Sequence, residues 1–263
     1  DNIFFNIDKE FKDLLKRKEI EKEDDFTEIL KKIIEDESFK EDLKKILNCS
    51  SIKNFFLNPI IFMDDDYRMT FIKEKDITED EDELYKYGFN TFLNIIQLNK
   101  KFLSKLIIFK YLPKYNRAFV NSNMRIYISP IFYEFSEKLE QNKREAIFRA
   151  YLFIIILLEL VNLLKFISNK SFSFDNIFKT PNNKKDGKMF INYLFKVPMI
   201  YYITYEQAKI INVPENWENL ELLWEIFKEQ REWYEIYKED KTKIFTRPSS
   251  EGKDSINLYL SLL

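Results

Sequence analysis

Apolar residues recur at helical spacing along most of the chain. Residues 2–18 carry Ile3, Phe4, Ile7, Phe11, Leu14 and Leu15 on one face. Residues 25–35 repeat the pattern with Phe26, Ile29, Leu30, Ile33 and Ile34, behind Asp24 or Asp25 as an N-cap. Residues 39–47 add Phe39, Leu43, Ile46 and Leu47. Three short amphipathic helices are expected, with Lys/Glu faces turned to solvent. Residues 48–51 break the pattern, and 52–57 predict a further helical turn before Pro59. Two apolar arms over 60–72 flank Asp64, Asp65 and Asp66, which read as a solvated turn. A calcium loop would need ligands at alternate positions and a Gly at its sharp turn. The acidic stretch 74–86 reads as a connector or a helix start.

From Tyr87 to Tyr111 the spacing predicts one long helix or two, ending before Pro113. The period then changes. Ala118 and Val120 alternate, as do Met124, Ile126 and Ile128, around Asn121-Ser122-Asn123, so a strand pair, or a strand with a turn, is expected at 117–129. Residues 132–139 start a helix. The most apolar stretch follows, AIFRAYLFIIILLELVNLLKFI over 146–167, which predicts a buried central helix at 145–167 with Glu159 alone among hydrocarbon. The run 151–158 is shorter than the roughly 20 residues a membrane span requires. After a polar loop at 168–188, residues 189–195 are apolar and Pro198 closes them. Thr204 caps a helix over 205–211, and 214–238 predict one helix bearing Trp217, Trp224, Trp233 and Tyr234. The tail 256–263, INLYLSLL, is greasy enough to support self-association.

The expected fold is α+β and mainly helical, with a small β-sheet or hairpin packed on the central helix. A helical region, 1–112, and an α+β region, 113–263, form one continuous globular unit. Hydrophobic residues make up 45% of the 263-residue chain, enough for a sizeable core. Net charge is -2, far from the balance of a nucleic-acid binder, and the lysines near Lys100, Lys101 and Lys105, or Lys184 and Lys185, read as solvated surface. The single Cys49 forms no internal disulfide, so an intracellular, cytoplasmic setting is expected. No signal peptide is expected in the sequence.

The chain contains no His. Ser-His-Asp triads, Cys-His pairs and His-bound zinc are therefore unavailable within it. No phosphate-binding loop or dinucleotide fingerprint appears. Paired carboxylates are neither indicated nor excluded by 44 acidic residues.

One constellation stands out. The strand RIYIS is followed by a helix, by IIILLELVNLL, by a loop with Thr180-Pro181, by DGKMFINYLFK (186–196) and by the helix YEQAKII. This layout resembles the zincin-type metallopeptidases, in which an edge strand precedes a HExxH helix. In the register Leu158-Glu159-Leu160-Val161-Asn162, Glu159 takes the position of the general base. Leu158 and Asn162 replace the two metal ligands, and neither can do their work: Leu has no lone pair, and an amide oxygen suits zinc poorly. The region around Lys188 and Asn192 offers no acidic third ligand. The resemblance thus implies an inactive pseudo-metallopeptidase, without metal or cofactor and with Glu159 as a relic. Read from the helix alone, Glu159 is equally a partly buried acid paired with a Lys, Arg or Tyr. The expectation is a non-catalytic protein-binding or scaffold protein, with Trp217, Trp224, Trp233 and Tyr234 as partner-binding residues. The alternatives are a hydrolase using carboxylates or an oxygen-liganded metal, and an oligomeric structural component.

Overall fold

The computed structural model describes residues 25–57, 61–63, 69–71, 79–99, 101–110, 112, 118–120, 125–130, 139–171, 187–239 and 255–257. The expected helix at 2–18, all but residue 139 of the helix expected over 132–139, the Asp64–66 turn and residues 172–186 lie outside these; of the polar loop expected over 168–188, residues 168–171 and 187–188 are helical instead.

Three helices open the described chain: α1 (Asp25–Glu35), α2 (Glu37–Asn48) and α3 (Ser50–Leu57). Asp36 separates the first two because its carboxylate caps α2, accepting from Phe39 N at 3.0 Å. The predicted break at 48–51 shrinks to Cys49. A two-stranded antiparallel pair follows, β1 (Ile61–Met63) with β2 (Met69–Phe71). Next come α4 (Glu79–Leu98) and α5 (Phe102–Leu106).

The helix expected to run on to residue 111 does not do so. Ile107–Phe109 forms β3, parallel to β5 (Ile126–Ile128), which pairs antiparallel with β4 (Ala118–Val120). The expected strand pair is present, and a third strand makes it a mixed sheet in the order β3-β5-β4. The correction has a plain cause. An apolar run of β-branched and aromatic residues satisfies either period, and pairing with β5 decides the matter. Alternation within the sheet is strict: Ile107, Phe109, Ile126 and Ile128 are buried, while Phe119 faces out and stacks on Tyr127 at 5.1 Å.

The central helix α6 spans Gln141–Ser171, longer at both ends than its apolar stretch. From Ala150 to Leu164 only Leu158 and Asn162 are less than buried, so the helix is enclosed all round. Residues 141–164 are together long and apolar enough to cross a membrane, longer than the 151–158 run suggested. However, 83% of the apolar window lies buried inside the protein, as for a core helix. One hydrophobic cluster runs from Leu30 on α1 to Phe227 and has α6 at its centre. Phe153 of α6 stacks on Phe39 of α2 at 4.7 Å. The sheet packs on α6 through β4 and β5, as expected.

Beyond α6, α7 (Gly187–Phe195) leads to β6 (Tyr202–Thr204) and α8 (Tyr205–Ile211). Thr204 and Gln207 form a capping box at the start of α8, which accounts for the predicted cap. The single helix expected over 214–238 is instead a 3-10 turn (Pro214–Glu218), α9 (Leu220–Ile226) and α10 (Lys228–Glu239). Asn219 causes the first break by taking Leu222 N onto its side chain at 3.1 Å, restarting the helix. The greasy tail begins with β7 (Ser255–Asn257), which pairs antiparallel with β6 of the same chain.

Candidate functional site

Glu159 is the chemical oddity of α6, and it lies in the core. It is 4% exposed. Among the described residues its hydrogen-bond partner is Asn162, whose Nδ2 donates to Oε2 at 3.1 Å, and no cation pairs with it. Burial pushes the carboxyl up to about 7 against the opposing pull of that hydrogen bond. Asn162 also accepts through Oδ1 from Gly187 N at 3.3 Å, so its amide bridges the acid to the first residue of α7.

The first residue of α7 packs directly against Leu158 and Asn162. A Cβ added at Gly187 would lie 2.8 Å from both Cγ and Cδ2 of Leu158, and 3.4 Å from Asn162 Nδ2. Glycine is needed there because the backbone approaches α6 closer than a side chain permits. Gly187→Ala is expected to lose about 1–3 kcal/mol of stability, since the branched Cγ cannot swing aside; chemical denaturation measures it. Among the described residues no group of three or more His, Cys, Asp or Glu comes together in a geometry that could hold a metal ion.

The four aromatic candidates separate. Trp217 is fully buried, donating Nε1–H to Ile211 O at 2.8 Å and lying edge-on to Phe195. It is a core residue, unavailable to a partner. Trp224, Trp233 and Tyr234 are half-buried. Trp224 donates to Tyr193 O at 3.1 Å, with Lys196 Nζ 4.4 Å over its ring, and Trp233 meets Tyr201 edge-on at 5.2 Å. Cys49 is an inert thiol: burial pushes it up to about 12, far from the thiolate that nucleophilic chemistry requires.

A second site was not legible in the sequence. Between α1 and the first turns of α6 lies an open groove of ≈ 990 Å³, completed by Asn212 after α8. Ile29, Ile33, Leu139 and Ala146 give it apolar surface; Ile29 remains 36% exposed. Lys32, Arg144 and Arg149 supply positive charge, Asp36 and Glu145 negative charge. The one sequence signal was Arg149, the sole charge between Ala146 and Leu158. Its guanidinium is held by Asp42 Oδ2 at 2.7 Å and lies 5.3 Å from the ring centres of Phe39 and Phe153. Asp36 is held below the usual carboxylate range by the Ser38 hydroxyl first and Phe39 N second.

The arrangement offers a preformed surface with a fixed cation, and a separate acid that is buried. Comparison of the chain with protein-family models, with curated proteins and with solved structures returned no match.

Proposed function

We propose that the chain is a non-catalytic scaffold that binds a macromolecular partner through the groove between α1 and α6. The observation that carries this is the groove itself: partly exposed isoleucines stand beside an arginine fixed by stacking and an ion pair. Rigid arginines beside apolar surface are favoured interface anchors because little side-chain freedom is lost on binding. The half-buried Trp224, Trp233 and Tyr234 are a second candidate contact on a different part of the chain.

An inactive pseudo-peptidase is the form of this function to which the Leu158-Glu159-Asn162 register lends support. Leu158 packs where α7 begins, and Asn162 serves the carboxylate rather than a metal. Purified protein should hold no stoichiometric zinc by metal analysis. A partner retained by the wild-type chain should be lost by Ile29→Glu and kept by Trp233→Ala. One equivalent of zinc, or peptidase turnover abolished by Glu159→Gln, would overturn the proposal.

A further inference from the structure

The chemistry of the groove specifies its occupant further, given that partner binding is the function. Arg149 is arranged before any partner arrives. A guanidinium has five N–H donors, and among the described residues Asp42 is its hydrogen-bonding acceptor. Its remaining donors are unspent in the wall that Arg149 lines. Lys32 and Arg144 add positive charge to the same groove, while its acids are already engaged. Asp36 caps α2, and Glu145 Oε1 accepts from Gln141 Nε2 at 2.9 Å. The first turn of α6, at the edge of the groove, contains no acid to offset the positive end of the helix dipole.

Asn212 Nδ2 donates to Ala146 O at 2.8 Å and fixes that wall of the groove, while its Oδ1 is buried out of reach of solvent. The groove thus combines surplus donors at Arg149 with apolar surface at Ile29 and Ile33.

We propose that the groove binds a peptide segment of a partner protein, with a carboxylate side chain adjacent to an apolar one. The carboxylate takes the unspent donors of Arg149, a pairing for which the planar fork is suited. The apolar side chain covers Ile29 and Ile33. A nucleic-acid strand fits less well, because it brings no aliphatic side chain to cover Ile29 and Ile33.

The test titrates fluorescein-labelled peptides of equal length with the full chain, reading anisotropy. One alternates Glu and Leu, one Lys and Leu, and one Glu and Ser, with oligothymidylate as competitor. The Glu-Leu peptide should bind, and added salt should weaken it. Arg149→Lys keeps the charge and loses the fork, and should weaken binding about tenfold; Ile29→Ser should do the same, with thermal melts confirming that both variants fold. Equal binding of the Lys-Leu or Glu-Ser peptide, displacement by oligothymidylate, or indifference to both substitutions overturns the assignment. A photo-crosslinker at position 32 separates the two levels. Capture of a basic segment of a partner leaves partner binding standing and removes the acidic occupant. No crosslink and no peptide binding removes both.

Discussion

Trp217→Ala should unfold or nearly unfold the protein, with a loss of about 3–5 kcal/mol from the cavity alone. Trp217 is fully buried, edge-on to Phe195, and its ring N–H satisfies Ile211 O. The backbone carbonyl of Trp217 accepts the Ser51 hydroxyl, and Glu218 accepts from Ser50 N at 2.8 Å, so this turn is tied to α3. Trp217→Phe keeps most of the ring volume but leaves Ile211 O without its donor, a smaller loss of about 1–3 kcal/mol. Urea denaturation of both variants separates packing from hydrogen bonding. Equal stability of all three proteins would mean that the 3-10 turn does not belong to the core. Because the expected effect is global, loss of partner binding in Trp217→Ala would say nothing about an interface.

The second large effect belongs to Glu159→Gln and depends on pH. The folded protein raises the carboxyl from its ordinary 4.5 to about 7, so the native state holds the proton more tightly than the unfolded chain. Below about pH 4.5 both states are protonated, and burial of the acid carries no charge penalty. As pH rises from there towards 7 the unfolded chain ionises first, and stability falls. Above about pH 7 the full penalty is present, on the order of 3 kcal/mol. Gln mimics the protonated acid at every pH, and its carbonyl can still accept from Asn162. The variant should therefore match the wild type near pH 4.5 and exceed it by roughly 3 kcal/mol at pH 8. Denaturant midpoints measured across that range decide the matter. A pH-independent difference would mean that Glu159 reaches water or a counter-charge, which would reopen a role as a working acid or base.

The helices and their apolar faces were legible because each carries its own signal, as in α2, where Phe39, Leu43, Ile46 and Leu47 are all buried. The isolation of Glu159 was legible too. Its partner was present in the same register, since Asn162 looked like a replaced metal ligand and proves to be the carboxylate's donor. β3 was not legible, because the choice between helix and strand for Ile107–Phe109 is made by β5, almost twenty residues later. The division of 214–238 turned on one side chain, Asn219, satisfying a backbone N–H locally. Of the groove, only Arg149, the lone charge in its apolar run, left a sign in the sequence. It lies between α1 and the first turns of α6, a fact of tertiary placement that no local pattern encodes.

The pairing of β6 with β7 has a consequence for synthesis on the ribosome. β6 at 202–204 acquires its partner only when 255–257 have been made. The ties of α3 to the 3-10 turn span more than 160 residues. At about 5–20 residues per second, α6 emerges many seconds before the elements that enclose its second side. During that interval a long hydrocarbon helix stands half-covered in a nascent chain, the kind of surface that chaperones engage. Synthesis of residues 255–257, rather than completion of any one helix, is the step after which this core can close.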